Sequence, residues 1–268
     1  MVATGVDPDL AVRVGLAICA ERCSFARSTS IRRSEAGVLD VGGGSAVYTG
    51  HGLFSNRAFA LGLRSAVTED ELEMVERFYA ERAAATEIEL ASIAAPQLVR
   101  LLSDRGYRLV RFRNIYATTT LSARPRATRA VIETVEESNR DDWSATLVAG
   151  FGYDDPPTIE RVEEWNEALA ATPGLTALLA RVDGEPAGAA SILVQGTSAV
   201  LGGAATRTGY RRGGIQSALI AERLELARAA GCDLAVVTAD PGSTSARNAE
   251  RAGFRLVCTH AVLRSAKP

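Results

Sequence analysis

The feature that most constrains this chain is a repeat of itself at one fixed offset. Gly106-Tyr107-Arg108-Leu109-Val110 is matched by Gly253-Phe254-Arg255-Leu256-Val257, an offset of 147 positions. The same offset sets a helical pattern starting at Thr68 on one starting at Ile215. It sets Glu87-Ile88-Glu89-Leu90 on Leu234-Ala235-Val236-Val237, Gly62 on Gly209, and Arg64 on Arg211. A gapless offset across about four elements implies two related halves, and the period is far too long for a solenoid. The polar, proline-containing stretch Ser122-Ala123-Arg124-Pro125-Arg126-Ala127 reads as the linker, which gives expected domains of 1–123 and 127–268.

Each half is large enough to bury a core, because 47% of the 268 residues are hydrophobic. The net charge of −2 argues against nucleic acid as the main partner. A membrane span takes about 20 apolar residues, and the best run, Ala11–Ala20, is interrupted by Arg13. The first nine residues lack the basic start of a leader peptide. Cys19, Cys23, Cys232 and Cys258 show no ligand spacing with His51 and His260, so the expectation is idle thiols, no metal and a cytoplasmic, reducing setting.

Local signals place the elements. In the first half, Thr68 with Glu71 forms a capping box, and Leu72, Val75 and Phe78 line one helix face. Pro96 opens a second helix, Gly106 ends it, and 107–121 reads as strand. Gly42-Gly43-Gly44-Ser45 lacks the lysine and helix start of a phosphate loop and reads as a strand connection. In the second half, strand 129–135 precedes helices near 137–149 and 158–171. Strands 176–182 and 185–194 flank the hairpin signal Asp183-Gly184, and 199–206 is a further strand. Helix 215–230 carries Ile215, Ala218, Leu219, Leu226 and Ala230 on its apolar side and stops at Gly231. Strand 234–239, helix 243–252 and strand 255–263 complete an α/β order, βααβββαβαβ, expected to form a mixed α+β sheet with helices on its faces.

The chemistry concentrates in Arg211-Arg212-Gly213-Gly214-Ile215-Gln216-Ser217. Glycines between a strand and a helix let the backbone turn tightly and leave N–H groups uncovered. The helix that follows turns its unpaired N–H groups and positive dipole end toward the same point. Arginines add forked donors. The arrangement suits a pyrophosphate.

With this loop and element order, residues 127–268 resemble the GNAT acetyltransferase superfamily, whose pyrophosphate motif is Arg/Gln-x-x-Gly-x-Gly/Ala. Arg211 and Gly214 fill the first and central positions, and Gln216 departs from the last, so its side chain must turn aside. The resemblance implies acetyl-CoA, or another acyl-CoA, as donor. It implies a strand end at Ala204-Ala205-Thr206 that splays from its parallel neighbour and pairs with the pantetheine arm, with Asn248 facing that arm. The family often places a tyrosine four residues before the glycine of the Gly-Phe pair as the acid for the departing thiolate. Here that position is Ala249. Asp240 and His260 are the remaining proton-transfer candidates, each with a structural alternative: a turn at a helix start for Asp240, a buried histidine for His260. Tyr153, Asp154 and Asp155 lie in the loop that borders the acceptor in the family, where carboxylates suit a cationic amine. Trp143 and Trp165 read as core or pocket wall.

The first half resembles a degenerate copy of the same fold. Arg64-Ser65-Ala66-Val67 keeps the arginine and loses both glycines, so one cofactor per chain is expected, in the second half. The resulting expectation is an acyl-CoA-dependent N-acetyltransferase acting on a small-molecule amine, as a monomer or homodimer. The alternatives are a non-catalytic acyl-CoA sensor or partner-binding module, and transfer to a peptide or protein.

Overall fold

The computed structural model describes residues 7–53 and 55–266. Residues 1–6, which carry most of the leader-peptide reading, lie outside the described residues. The elements of the first half are α1 (Pro8–Ser30), β1 (Gly37–Val41), β2 (Gly44–Tyr48), β3 (Arg57–Phe59), α2 (Glu69–Ala80), β4 (Glu87–Ala91), α3 (Pro96–Asp104) and β5 (Arg108–Thr118). Those of the second are β6 (Val131–Thr134), α4 (Arg140–Phe151), α5 (Pro156–Ala170), β7 (Leu175–Val182), β8 (Glu185–Gln195), β9 (Ser198–Thr206), α6 (Ile215–Ala229), β10 (Leu234–Ala239), α7 (Thr244–Arg251) and β11 (Arg255–Arg264). The mixed α/β order of the second half is the one its sequence patterns predict.

The chain folds into two compact units. One holds the chain up to Tyr116, Ala239–Ser243 and the segment from Leu256 on; the other holds Ala117–Thr238 and Thr244–Arg255. A cut at 123–127 assigns β11 to the second half, but the strand packs with the first unit. Its residues His260 to Arg264 pair antiparallel with Ala91 to Glu87 of β4. Local pattern identifies a strand and is silent on which sheet accepts it.

In the first unit the strand order is β1-β2-β3-β4-β11-β5. The glycine run is a two-residue turn, with Val41 opposite Gly44. Leu72, Val75 and Phe78 of α2 and Leu98 and Leu102 of α3 pack with Ala58, Ile88 and Leu90 of the strands. The apolar run beginning at Ala11 lies within α1, which buries Ala11, Val14 and Ile18. In the second unit the order is β10-β9-β8-β7-β6. The Asp183-Gly184 hairpin joins β7 to β8 with Val182 opposite Glu185. Leu178, Ala180, Ala187 and Ala190 meet Ile215 and Leu219 of α6 in its core.

Candidate functional site

The second unit's site is built where β9 runs out into α6. The parallel pairing of β9 with β10 covers Ser198↔Leu234, Ala199↔Ala235 and Val200↔Val236. β9 continues to Thr206, so six further residues extend past the last paired one. Its other edge stays paired to β8 but is irregular: Ala189 faces Ala205 and Ser191 faces Gly202. Two residues, Gly203 and Ala204, therefore oppose the single Ala190. This is a β-bulge, with Gly203 at φ 45 supplying the left-handed turn.

Beyond β9 the loop winds into the helix with Arg212 at φ 67 and Gly214 at φ 81, an alternation that turns successive N–H groups toward one side. Gly214 caps α6, no side chain satisfies the first turn, and that turn contains no acidic residue. The N–H groups of Ile215, Gln216 and Ser217 thus form an electropositive end suited to an anion. A Cβ on Gly214 would also stand 2.6 Å from the carbonyl oxygen of Ala127.

The side chains brace this loop. Arg211 donates from Nη2 to the carbonyl of Gly150 (3.0 Å) and from Nε to that of Thr206 (3.3 Å). Its charge thereby meets the carbonyl end of α4. Gln216 turns aside as its size requires: Nε2 donates to Thr206 Oγ1 at 3.0 Å. The Ser217 hydroxyl accepts from the backbone N–H of Arg126 at 3.0 Å, tying the linker to the helix start. Arg212 and Gly213 are exposed.

The other predicted site residues fare differently. Asn248 is half-buried on α7, and its Oδ1 accepts from Arg251. Ala249 is buried, 1% exposed, with no titratable atom to offer. Asp155 caps α5 by accepting from the N–H of Thr158 (3.0 Å), so it serves the helix. Asp154 is exposed, and the Tyr153 ring sits 6.0 Å from that of exposed Phe151. Asp240 and His260 both belong to the first unit. Asp240 is exposed and faces Arg113 at 3.8 Å. His260 is buried; its Nδ1 lies 3.2 Å from Glu89 Oε1 and its Nε2 3.5 Å from Cys258 Sγ. Glu89 also accepts from Arg57 at 3.2 Å, and Arg57 from its other side reaches Glu87 at 3.1 Å. This is an internally paired network in the first unit's interior, with His260 held between Glu89 and Cys258.

The equivalent position in the first unit is closed twice over. β3 pairs with β4 to its last residue, Phe59↔Glu89, so no strand end is left open. The start of α2 is satisfied by its own residues: Thr68 Oγ1 accepts from Glu71, and the Glu71 carboxylate accepts from the Thr68 N–H. Glu69, Asp70 and Glu71 make this helix start negative, the opposite of what a pyrophosphate needs.

One residue bearing on the site escaped the sequence patterns: Arg223, buried on the helix face marked by Leu219. Trp143, expected as core or pocket wall, is buried, and its indole N–H donates to the Ala190 carbonyl. For Arg223 the signal was present: a charged residue four after Leu219 interrupts an apolar stripe. All four cysteines are free and buried. Among the described residues no group of three His, Cys, Asp or Glu is placed to hold a metal, and no helix is long and apolar enough to cross a membrane.

Residues 132–254 match the model of the Acetyltransferase (GNAT) family. No curated protein matches the sequence. Among solved structures, the chain is similar to a GCN5-related N-acetyltransferase from Kribbella flavida (19% identity, 91% of this chain and 96% of that one, TM-score 0.67). It is similar to a tandem GNAT protein from the clavulanic acid biosynthesis pathway (11% identity, 98% and 97% covered, TM-score 0.62). A third is a GCN5-related N-acetyltransferase from Sphaerobacter thermophilus (20% identity, 74% and 67% covered, TM-score 0.58). These likenesses establish a shared fold.

Proposed function

We propose that this chain, an acyltransferase whose residues 132–254 form a GNAT acetyltransferase domain, carries its one donor site at the end of β9 and acetylates a small-molecule amine. The family uses acyl-CoA for acetyl transfer. The observation that carries the assignment is the coincidence of an unpaired strand end with an uncapped, acid-free helix start in the second unit, against their closed counterparts in the first.

The residues fit the donor part by part. Its pyrophosphate suits the N–H groups of Ile215 to Ser217, with Arg212 free to swing onto it. Its pantetheine arm suits the strand edge of Ala204 to Thr206. Bound acetyl-CoA supplies an activated thioester carbonyl. Backbone N–H groups at the Gly203–Ala204 bulge lie outside the regular ladder, which makes them the natural donors to an oxyanion. The amine attacks in its neutral form, so activity rises with pH through the acceptor's own titration. Ala249 holds no proton, so the thiolate leaves with solvent or another group as its acid. Asp154, exposed beside Tyr153, supports an acceptor with a cationic amine. Four buried free thiols support a cytoplasmic setting.

Titration calorimetry with acetyl-CoA tests the donor site: one equivalent per chain at micromolar affinity is expected, and no binding rejects the reading. Thiol release across amines, aminoglycosides, amino acids and peptides then identifies the acceptor. Turnover with peptides alone overturns the small-molecule assignment.

A further inference from the structure

The β9 bulge is an expensive object. It disrupts the ladder locally inside a core, where an orphaned buried polar group costs free energy comparable to a lost hydrogen bond. Two buried side chains donate to strand carbonyls at this disruption. Arg223 of α6, 3% exposed, donates from Nη1 to the carbonyls of Ser191 and Gly202, each at 3.2 Å. These two residues are the pair that flanks the bulge. Its Nε donates to the Leu219 carbonyl one turn back, which locks the guanidinium in place. Trp143 of α4, 0% exposed, donates from Nε1 at 3.1 Å to the carbonyl of Ala190, the residue opposite the bulge.

The two donors approach from the two faces of the sheet. Ala204 packs with Ile215 and Leu219 on the α6 side, whereas Ala205 lies beneath Gly150 of α4. Burial pulls the Arg223 guanidinium down to about 9, and no carboxylate offsets it. A methionine would fill this space without a buried charge. The charge is therefore poorly explained by packing and well explained by the two strand carbonyls, of Ser191 and Gly202, that the guanidinium reaches.

We propose that Arg223 and Trp143 are positioning residues that clamp the Gly203–Ala204 bulge from both faces, aiming its backbone N–H groups at the acyl end of the donor. The inference rests on the donor site proposed above and deepens it. It makes a division of labour: the helix start at Gly214 to Ser217 holds the pyrophosphate, and the clamp sets the geometry of the pantetheine and thioester. Loss of the clamp should then be felt at one end of the donor only.

The experiment compares Arg223→Met with the parent chain for acetyl-CoA and for 3′-phospho-ADP. The latter carries the pyrophosphate and lacks the arm. Acetyl-CoA affinity is expected to fall about tenfold and kcat by about tenfold or more, the scale of a misaligned reacting centre, while 3′-phospho-ADP affinity stays within about twofold. Arg223→Lys, which can serve one carbonyl, should recover part of the loss. Trp143→Phe, which keeps a ring and removes the N–H, should move the same ratio in the same direction. If Arg223→Met fails to fold, Arg223→Lys and Trp143→Phe carry the comparison. Equal loss of both ligands would mean general damage and overturns the clamp, as does an unchanged ratio with unchanged kcat. A parent chain that binds neither ligand rejects the donor site itself. In that case faster amide exchange confined to 188–206 in Arg223→Met still supports the clamp as a structural device, and unchanged exchange overturns it.

Discussion

Gln216→Glu is expected to weaken acetyl-CoA binding roughly ten- to hundredfold while leaving the melting temperature unchanged or slightly raised. The residue sits in the first turn of α6, where the chain carries no acid. A carboxylate there faces the doubly charged pyrophosphate at close range. At the effective dielectric of a protein surface, such a pair costs about 1–3 kcal/mol after screening, and each 1.4 kcal/mol is about a factor of ten. The same carboxylate favours the helix itself, because negative charge stabilises a helix start. The Gln216–Thr206 contact survives the change, since the threonine hydroxyl can donate where it previously accepted. Stability and binding therefore move apart, which separates a site effect from a folding effect. The substitution also copies the first unit, whose α2 begins Glu69-Asp70-Glu71. Calorimetry beside a thermal melt reads both quantities. Affinity within twofold of the parent would mean that the pyrophosphate does not sit at this helix.

Glu89→Gln is expected to destabilise the first unit by about 3–5 kcal/mol, the scale of breaking a buried ion pair from one side. Burial alone would push the Glu89 carboxyl up. The His260 hydrogen bond and the charges of His260, Arg57 and Arg113 outweigh it and hold the carboxyl at about 2. A folded value below the ordinary carboxylate value means stability that is present above that value and lost as pH falls toward about 2. The melting temperature of the parent should therefore fall between about pH 5 and pH 2, and Glu89→Gln should flatten that slope. Glu21 acts with the opposite sign. Burial raises its pKa, so its contribution is greatest at low pH and fades as pH rises. Its window lies above the ordinary carboxylate value and that of Glu89 below it, so Glu21 lowers stability toward neutral pH without altering the acid slope of Glu89. Denaturation at pH 7 and pH 3 checks both claims. A variant as stable as the parent at pH 7 would show that Arg57 finds equal compensation elsewhere.

The two variants bear on how far single-chain reasoning reaches. The sideways turn of Gln216 was legible because it depends on neighbours in sequence: a strand, two glycines and a helix start within a dozen residues. The same locality made the element order of the second half readable, and it made the capping box at Thr68 readable as well. Glu89 and His260 were not legible in this way. They stand 171 positions apart and meet only because β11 joins the sheet of the first unit. His260, taken alone, has the chemistry of a base. In the structure it is buried between Glu89 and Cys258 in the first unit. Asp155 is a milder case: a carboxylate expected to border the acceptor, which the adjoining helix uses as its cap.

The sequence by itself determined the α/β class, the element order of the second half, the resemblance carried by Arg211 to Ser217, and the repeated Gly-aromatic-Arg-Leu-Val pattern. Each of these is a matter of short-range backbone preference or of a repeated pattern. The tertiary structure alone decided that β11 packs with the first unit, that β9 outruns β10 while β3 stays paired to its end, and that Arg223 and Trp143 meet at the bulge. Strand partnership and register depend on hydrogen bonds between segments distant in the chain. The donors that satisfy a bulge are chosen by which helices cross it, and neither leaves a periodic trace in the order of residues.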